Sequence, residues 1–334
     1  METEHLQTLP PPPGVVGSLK AGFDVIASNI LVILLPLALD LWLWLGPHLR
    51  VDHLFKPFFD EMSRYSGLSG LPSAEVVRVQ QAYAALSAEL QTFNLMSVLR
   101  TFPIGVFSLM SGRMPGETPL GAATVIQVED PLALLGWMAL LTLAGWVSGG
   151  LFFRWVSLVV ADPSKPTPFR FGYSVAQAIL FSLLWIFLAF MIGIPVFVAL
   201  ALVVLASPLL AQAMLLIIGL LSMWLVVPVF FAPHGIFMRQ ENAFISIYTS
   251  LRMARFTLPT SSLFVLSVLL IAYGLNYLWN IPSSNSWMAL VGITGHAFIT
   301  TSLLAASFIF YRDMQVWLQT VFAKMKANTP PQSA

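Results

Sequence analysis

Four polar side chains stand in or beside runs of residues otherwise suited only to hydrocarbon, and each is a candidate for chemistry. Asp40 interrupts the run 25–45, Asn276 lies near the end of 257–279, His296 sits within 287–310, and Arg154 directly follows 132–153. An ionisable group at bilayer depth is costly and marks a functional site by default. At the helical rise, Asp40 lies about 7 Å and His296 about 13 Å below the outer ends of their runs. With Asn276 they share the outer half of the membrane and can converge on a pocket opening outward. There an Asp–His pair could take up a proton or a cation, or hold a polar headgroup. A structural reading stands beside the functional one. Asp40 has Trp42 and Trp44 beside it near the interface, and His296, next to Gly292, Thr294 and Gly295, can bond a neighbouring backbone. Arg154 has the chemistry to hold a substrate phosphate, but an arginine at a helix end is expected to snorkel to the inner headgroups.

Other chemistry is not spelled in the chain. There is no Walker A loop, no His-Glu-x-x-His, no Gly-x-Ser-x-Gly elbow, no paired intramembrane aspartates and no apparent Ser–His dyad. Zero cysteines exclude disulfides, thiolate nucleophiles and Cys-ligated zinc. His48, Asp52 and His53 match no firm metal-ligand spacing and read as a solvated loop. No catalytic residue, cofactor or metal is therefore expected, and the chain reads as a non-enzyme. Its net charge is +1 with basic residues scattered, so no nucleic-acid partner is expected.

The elements that must position these residues follow from composition. Hydrophobic residues make up 57% of the 334 and charged residues only 9%, with mean hydropathy +0.82. Soluble domains carry about 25% charged residues. Six runs, 25–45, 132–153, 175–206, 209–231, 257–279 and 287–310, are long enough as helices to cross a hydrocarbon core of roughly 30 Å. The expected fold is all-α, a polytopic bundle of about six transmembrane helices with a helical extracytoplasmic insert. Its parts are a leader (1–23), a first transmembrane helix (24–45), an insert (46–130), a five-helix remainder (131–311) and an amphipathic tail (312–334). The leader is acidic and then proline-rich at Pro10–Pro13, unlike the basic start of a secretory signal, so the first span is expected to be retained. In the third run, Gly193-Ile194-Pro195 predicts a kink, or alternatively a break.

Charge sets the expected direction of threading. Lys165 and Arg170 follow the second run; Arg239, Arg252 and Arg255 follow the fourth; Arg312, Lys324 and Lys326 lie in the tail. The connections around Ser207-Pro208 and 280–286 carry no basic residue. The positive-inside rule then puts both termini in the cytoplasm and 46–130 outside a plasma membrane. Trp42, Trp44, Trp137, Trp279 and Trp287 read as an outer aromatic belt. Phe169, Phe171 and Tyr173 around Arg170 read as an inner anchor. In the tail, Met314, Trp317, Leu318, Val321, Phe322 and Met325 have helical spacing, which predicts a helix lying on the inner leaflet.

Within the insert, Val76, Val79, Tyr83, Leu86, Leu90 and Phe93 form one helical stripe after Ser73. Leu54, Phe55, Phe58, Phe59, Met62 and Tyr65 form another, disturbed at Pro57. Joined by Ser66–Pro72 they predict an antiparallel α-hairpin; the stripe could instead pair with another subunit. The apolar stretch Phe102–Met110 is too short to span and is expected to dip into the interface or cap the bundle. A short strand is expected in Ala123–Val128, and Asp130-Pro131 is expected to start the next helix. Gly145-xxx-Gly149 is a close-packing pattern.

Val227-Pro228-Val229-Phe230-Phe231, Glu241-Asn242-Ala243-Phe244, Ser250-Leu251-Arg252 and the ending Phe310-Tyr311-Arg312-Asp313 follow one another over residues 215–313. This order resembles uncharacterised polytopic bacterial and archaeal membrane proteins related to the membrane domain of glycerophosphodiester phosphodiesterases. The resemblance implies a six-helix bundle of unassigned role, since the phosphodiesterase chemistry of that family belongs to a separate catalytic domain with no counterpart in these 334 residues. Ser18-Leu19-Lys20 before the first run parallels Ser250-Leu251-Arg252, a faint internal repeat. The function expected is a non-catalytic scaffold or subunit of an envelope complex. Its partners would be the lipid bilayer and a protein, or a second copy, engaged through 46–130. The alternative is a small-molecule or lipid transporter with an outward polar pocket.

Overall fold

The computed structural model describes residues 11–68, 73–113, 116–161 and 170–327. The expected leader start (1–10), the centre of the hairpin turn (69–72), the connection holding Lys165 and Phe169 (162–169) and the tail beyond 327 lie outside the described residues. Helix dominates, as composition demands. In chain order come α1 (Val15–Ser28), a 3-10 turn (Ile30–Ile33), α2 (Leu34–Leu45), β1 (His48–Arg50), α3 (Asp52–Leu68) and α4 (Ser73–Thr92). A 3-10 turn (Leu95–Leu99), the one-turn α5 (Met110–Arg113) and three short strands follow: β2 (Glu117–Thr118), β3 (Gly121–Ala122) and β4 (Val125–Gln127). The long helices are α6 (Pro131–Val160), α7 (Phe171–Ala206), α8 (Pro208–Arg239), α9 (Ala243–Trp279) and α10 (Ala289–Ala327). Five of them are long and apolar enough to cross a membrane, and the count is six if α1 and α2, bent by 93° at their break, are taken as one span. The architecture is an all-α helical bundle of five to six such helices.

Several boundaries differ from the sequence reading. The first span is not one helix from residue 24: helix begins at Val15 and is interrupted at Asn29, whose φ of −130° and ψ of 54° leave the helical region. Asn29 turns its side chain back onto the Val25 carbonyl, and such local bonding competes with the helical ladder. In contrast, α7 runs through Gly193 and Pro195 without a break. Thr257 breaks the regular dihedrals of α9 (φ −126°, ψ 17°) two residues before Pro259, because the ring disfavours helical geometry just upstream. The tail is not a separate surface helix. It continues α10 to Ala327, and Met314, Leu318 and Val321 are buried against protein.

The chain divides into two compact units. The first comprises residues up to Ile30, Phe153–Ala272 and Thr301 onward. Within it α7 and α8 are joined through Ser207, whose hydroxyl accepts from the Leu210 amide, with Pro208 at the first helical position. Gly22 of α1 lies against Ala306 and the Ser302 carbonyl of α10, so close that a side chain at residue 22 has no room.

The second unit comprises Leu31–Phe152 and Tyr273–Thr300. Here α3 and α4 form the expected helical hairpin, with Phe59 packed on Tyr83 at 6.2 Å. The expected strand is β4, and it pairs in parallel with β1, His48 opposite Val125 and Arg50 opposite Gln127. Asp130 caps α6, its carboxylate accepting from the Ala133 amide at 2.8 Å. The core gathers Leu43, Trp44, Leu49, Leu95, Leu109, Met110, Leu141 and Ile293. Trp44 is thus a core residue, not part of an outer belt. Its indole donates to the Ser284 carbonyl at 2.7 Å and its ring meets Trp287 edge-on. Trp279 also turns inward, its ring covering Gly295.

Candidate functional site

The site is built around Asp40, which is completely buried. Its partners come from the insert. Ser108 donates its hydroxyl to Oδ1 at 2.5 Å, the Met110 amide donates to Oδ1 at 3.0 Å, and the Leu109 amide donates to Oδ2 at 3.1 Å. Ser108 is itself held, accepting from the Ser111 amide at 3.0 Å. These amides open α5, so the carboxylate sits where first-turn N–H groups lack intrahelical partners. Three donors satisfy most of its acceptor capacity, which makes a buried carboxylate tolerable.

His296 faces the same carboxylate, with Nδ1 3.8 Å from Oδ2. That is within reach of charge but beyond a hydrogen bond. Asn276 does not join them: the hydrogen bonds recorded for it run through its backbone carbonyl to Asn280. Arg100, at the exposed start of the apolar stretch, acts electrostatically on both Asp40 and His296, and its guanidinium donates to the Ser111 hydroxyl at 3.3 Å.

What brings Ser108 to Asp40 is the glycine pair of α6. A Cβ on Gly149 would lie 2.6 Å from the Gly105 Cα, and one on Gly145 would lie 2.7 Å from the Leu99 carbonyl oxygen. The small-residue groove is filled by the chain's own stretch 99–105. Ile104, Val106, Leu109 and Met110 are buried, and Phe107 meets Phe152 edge-on. Counting from Pro131, Gly149 lies about 27 Å along α6 at 1.5 Å per residue. The stretch is therefore packed against α6 far from its Pro131 end.

Arg154, in the first unit, does not reach headgroups. It is 2% exposed, and its Nη1 donates to the Phe237 carbonyl at 2.6 Å. Phe237 belongs to the last turn of α8, whose carbonyls carry the negative end of the helix dipole. The cation is retained inside because it satisfies that end.

The first unit also holds polar groups that sequence reading did not pair. His234 Nε2 lies 2.7 Å from Ser307 Oγ, so a Ser–His pair exists after all. Ser307 Oγ also lies 2.7 Å from the Leu304 carbonyl. Which of the two atoms donates depends on the histidine tautomer, since the Ser307 hydroxyl has one proton and two acceptors, His234 Nε2 and the Leu304 carbonyl, within reach. Both residues are buried among Phe230, Phe231, Phe308 and Tyr311. His234 lies three residues past its apolar run, and its intramembrane setting was the available signal. The segments Val227–Phe231, Glu241–Phe244, Ser250–Arg252 and Phe310–Asp313 converge nearby. The Ser250 hydroxyl donates to the Pro228 carbonyl, Phe231 stacks on Phe310 at 5.7 Å, and Glu241 pairs with Arg239 at 3.2 Å and accepts from Thr249. Gly235 leaves the room that Glu241, Ser246 and Tyr311 occupy.

Outside the spans, His48 is a buried strand residue, not a solvated one. Burial, then the neighbouring Arg50 guanidinium, pushes its imidazole below the ordinary 6.5, against an opposing hydrogen bond to the Leu43 backbone. His53 stays in solvent, 3.9 Å from Asp52 and from Glu129. Among the described residues no group of three or more acidic or histidine side chains is arranged to hold a metal. Compared with known proteins, the chain matches no family model, no curated protein and no solved structure. The class is thus defined by fold and site alone: an all-α bundle of membrane-spanning helices with a buried carboxylate pinning the apolar segment of its insert.

Proposed function

We propose that the protein is a non-catalytic scaffold, or a subunit of an envelope complex, that presents residues 46–130 on the outer side of a plasma membrane with both termini cytoplasmic. One observation carries the reading: the carboxylate of Asp40 is spent on Ser108, Leu109 and Met110 of the insert instead of facing a substrate. The polar centre then anchors a display element. The exposed Phe58 and Tyr65, seven residues apart on one side of α3, offer apolar side chains to a partner. The resemblance to membrane domains that accompany a separate enzyme fits the same accessory role.

The test is to replace 52–92 by a flexible Gly/Ser linker and size the complex extracted from native membranes in mild detergent. The full chain is expected in an assembly larger than its monomer, and the replacement should reduce it to monomer size. An assembly unchanged by the replacement would sink the proposal. A second reading, transport or lipid handling, is favoured by the interruption at Asn29 between α1 and α2, since discontinuous helices line sites in transporters. Solute flux or lipid exchange in proteoliposomes, lost in Asp40→Asn, would move the assignment there.

A further inference from the structure

We infer that the first half of α9, residues 243–256, is a membrane-interface helix whose Arg252 and Arg255 bind the phosphate groups of anionic phospholipids. Its two faces are chemically distinct. Ala243, Ser246, Ser250, Met253 and Ala254 are buried in the protein, and the Ser246 and Ser250 hydroxyls donate to the carbonyls of Ala232 and Pro228. The opposite face, Phe244, Tyr248, Leu251 and Phe256 with the two arginines, is exposed. Those positions recur at three, four and seven residues, which is one continuous helical stripe. A stripe of rings and aliphatic chains edged by cations suits neither water nor hydrocarbon. It suits the headgroup boundary, where rings sit at the interface and cations meet phosphate.

The arginines are posed, not merely present. The Arg252 guanidinium lies over the Phe322 ring of α10 at 5.1 Å, and Arg255 lies 5.9 Å from the Phe256 ring. Phe256 and Phe322 meet edge-on at 5.1 Å, joining the two helices beneath the cations. Among the described residues neither guanidinium has an acidic side chain within ion-pair distance, whereas Arg239 and Arg312 do. Stacking on a ring leaves the N–H edge of a guanidinium open for a bidentate phosphate contact. The break at Thr257 lets this half-helix depart from the direction of the apolar half that follows. The occupant is a lipid phosphate because the same face carries the rings that enter the bilayer boundary. A free anion would have no use for them.

The test uses the full chain in nanodiscs of phosphatidylcholine with a minority of phosphatidylglycerol, counting retained lipids by native mass spectrometry. Phosphatidylglycerol is expected to be enriched over its bulk share. Replacing Arg252 or Arg255 by Gln should each lower that enrichment about fivefold, the equivalent of about 1 kcal/mol per cation near a charged surface. R252K/R255K should keep most of it, and R78Q in α4 should leave it unchanged. Equal enrichment in R252Q/R255Q, or an equal loss in R78Q, overturns the inference. Displacement by tens of millimolar inorganic phosphate would make this a free-anion site and also overturn it. If R252Q/R255Q does not fold, wild-type enrichment must still fall as salt is raised, and salt-independent retention refutes the proposal.

Discussion

At the scale of single residues, one carboxylate holds the apolar segment of the insert in place. Removing it strands two amides and a hydroxyl that have no water to turn to. Asp40→Ala should therefore lower stability by on the order of 3 kcal/mol, since each hydrogen bond to a charged group is worth about 1.5–3 kcal/mol and the losses overlap. Ser108→Ala should cost about 1 kcal/mol. Denaturant unfolding in detergent measures both, and an unchanged midpoint in Asp40→Ala would remove the anchoring role. His48 supplies a pH dependence of known sign. Its imidazole is held below 6.5 in the folded insert, so the unfolded chain takes up the proton first. The stability it contributes is present above 6.5 and is lost as pH falls below 6.5 toward the folded value. The protection of the β1 and β4 amides, their hydrogen-exchange rates taken relative to the intrinsic rate at each pH, should therefore fall on acidification from pH 7.5 to 5.5, and His48→Gln should flatten the response. Ser307 should not react with fluorophosphonates, because it is buried among aromatic rings with no access for the reagent. Labelling at that residue would restore an enzymatic reading.

At the scale of elements, the outcome turns on what fills a groove. Gly145 and Gly149 spell a helix–helix contact, and a sequence cannot say whether the partner is another helix or a loop. The loop wins because Leu99–Gly105 approaches with its own backbone, which only an absent Cβ admits. Gly149→Val should lift that segment, costing about 1–3 kcal/mol as overpacking does. A cysteine placed at Ser111, buried in the native fold, should then become open to thiol reagents. No gain in labelling over the otherwise wild-type background would show that the groove does not hold the segment. The interrupted helices are a second lesson at this scale. Pro195 sits inside one continuous α7, so the alternative of a break does not occur there, whereas Asn29 breaks a run that carries no proline at that point.

At the scale of the whole molecule, direction is the property most open to test. With no native cysteine, single cysteines at exposed Gln81, Ser283 and Gln319 report sides directly. In intact cells an impermeant maleimide should label Gln81→Cys and Ser283→Cys, and Gln319→Cys only after lysis. Labelling of Gln319→Cys from outside would invert the proposed threading.

Much of the chain was legible before any coordinates, because hydrocarbon imposes a simple rule. Segments without charge and of spanning length must be helical, so the runs ending at Phe153, Phe231 and Trp279 announce themselves, as do the hairpin stripe of Tyr83 and the Asp130 cap. The candidate site was half legible: Asp40 and His296 could be picked out as charges out of place, and they do face one another. Ser108 and Arg100 could not be found, since they lie far along the chain from Asp40 and look like ordinary loop residues, and the glycine pair was visible without its occupant. Arg154 and Trp44 were misread for a related reason. Amphipathic side chains near a membrane boundary suit a headgroup as well as they suit a buried carbonyl. Composition and period, local properties, decided by themselves that this is an all-α bundle of membrane-spanning length. Which polar group meets which was decided only by the tertiary structure, because a buried hydrogen bond depends on partners that sequence distance does not reveal.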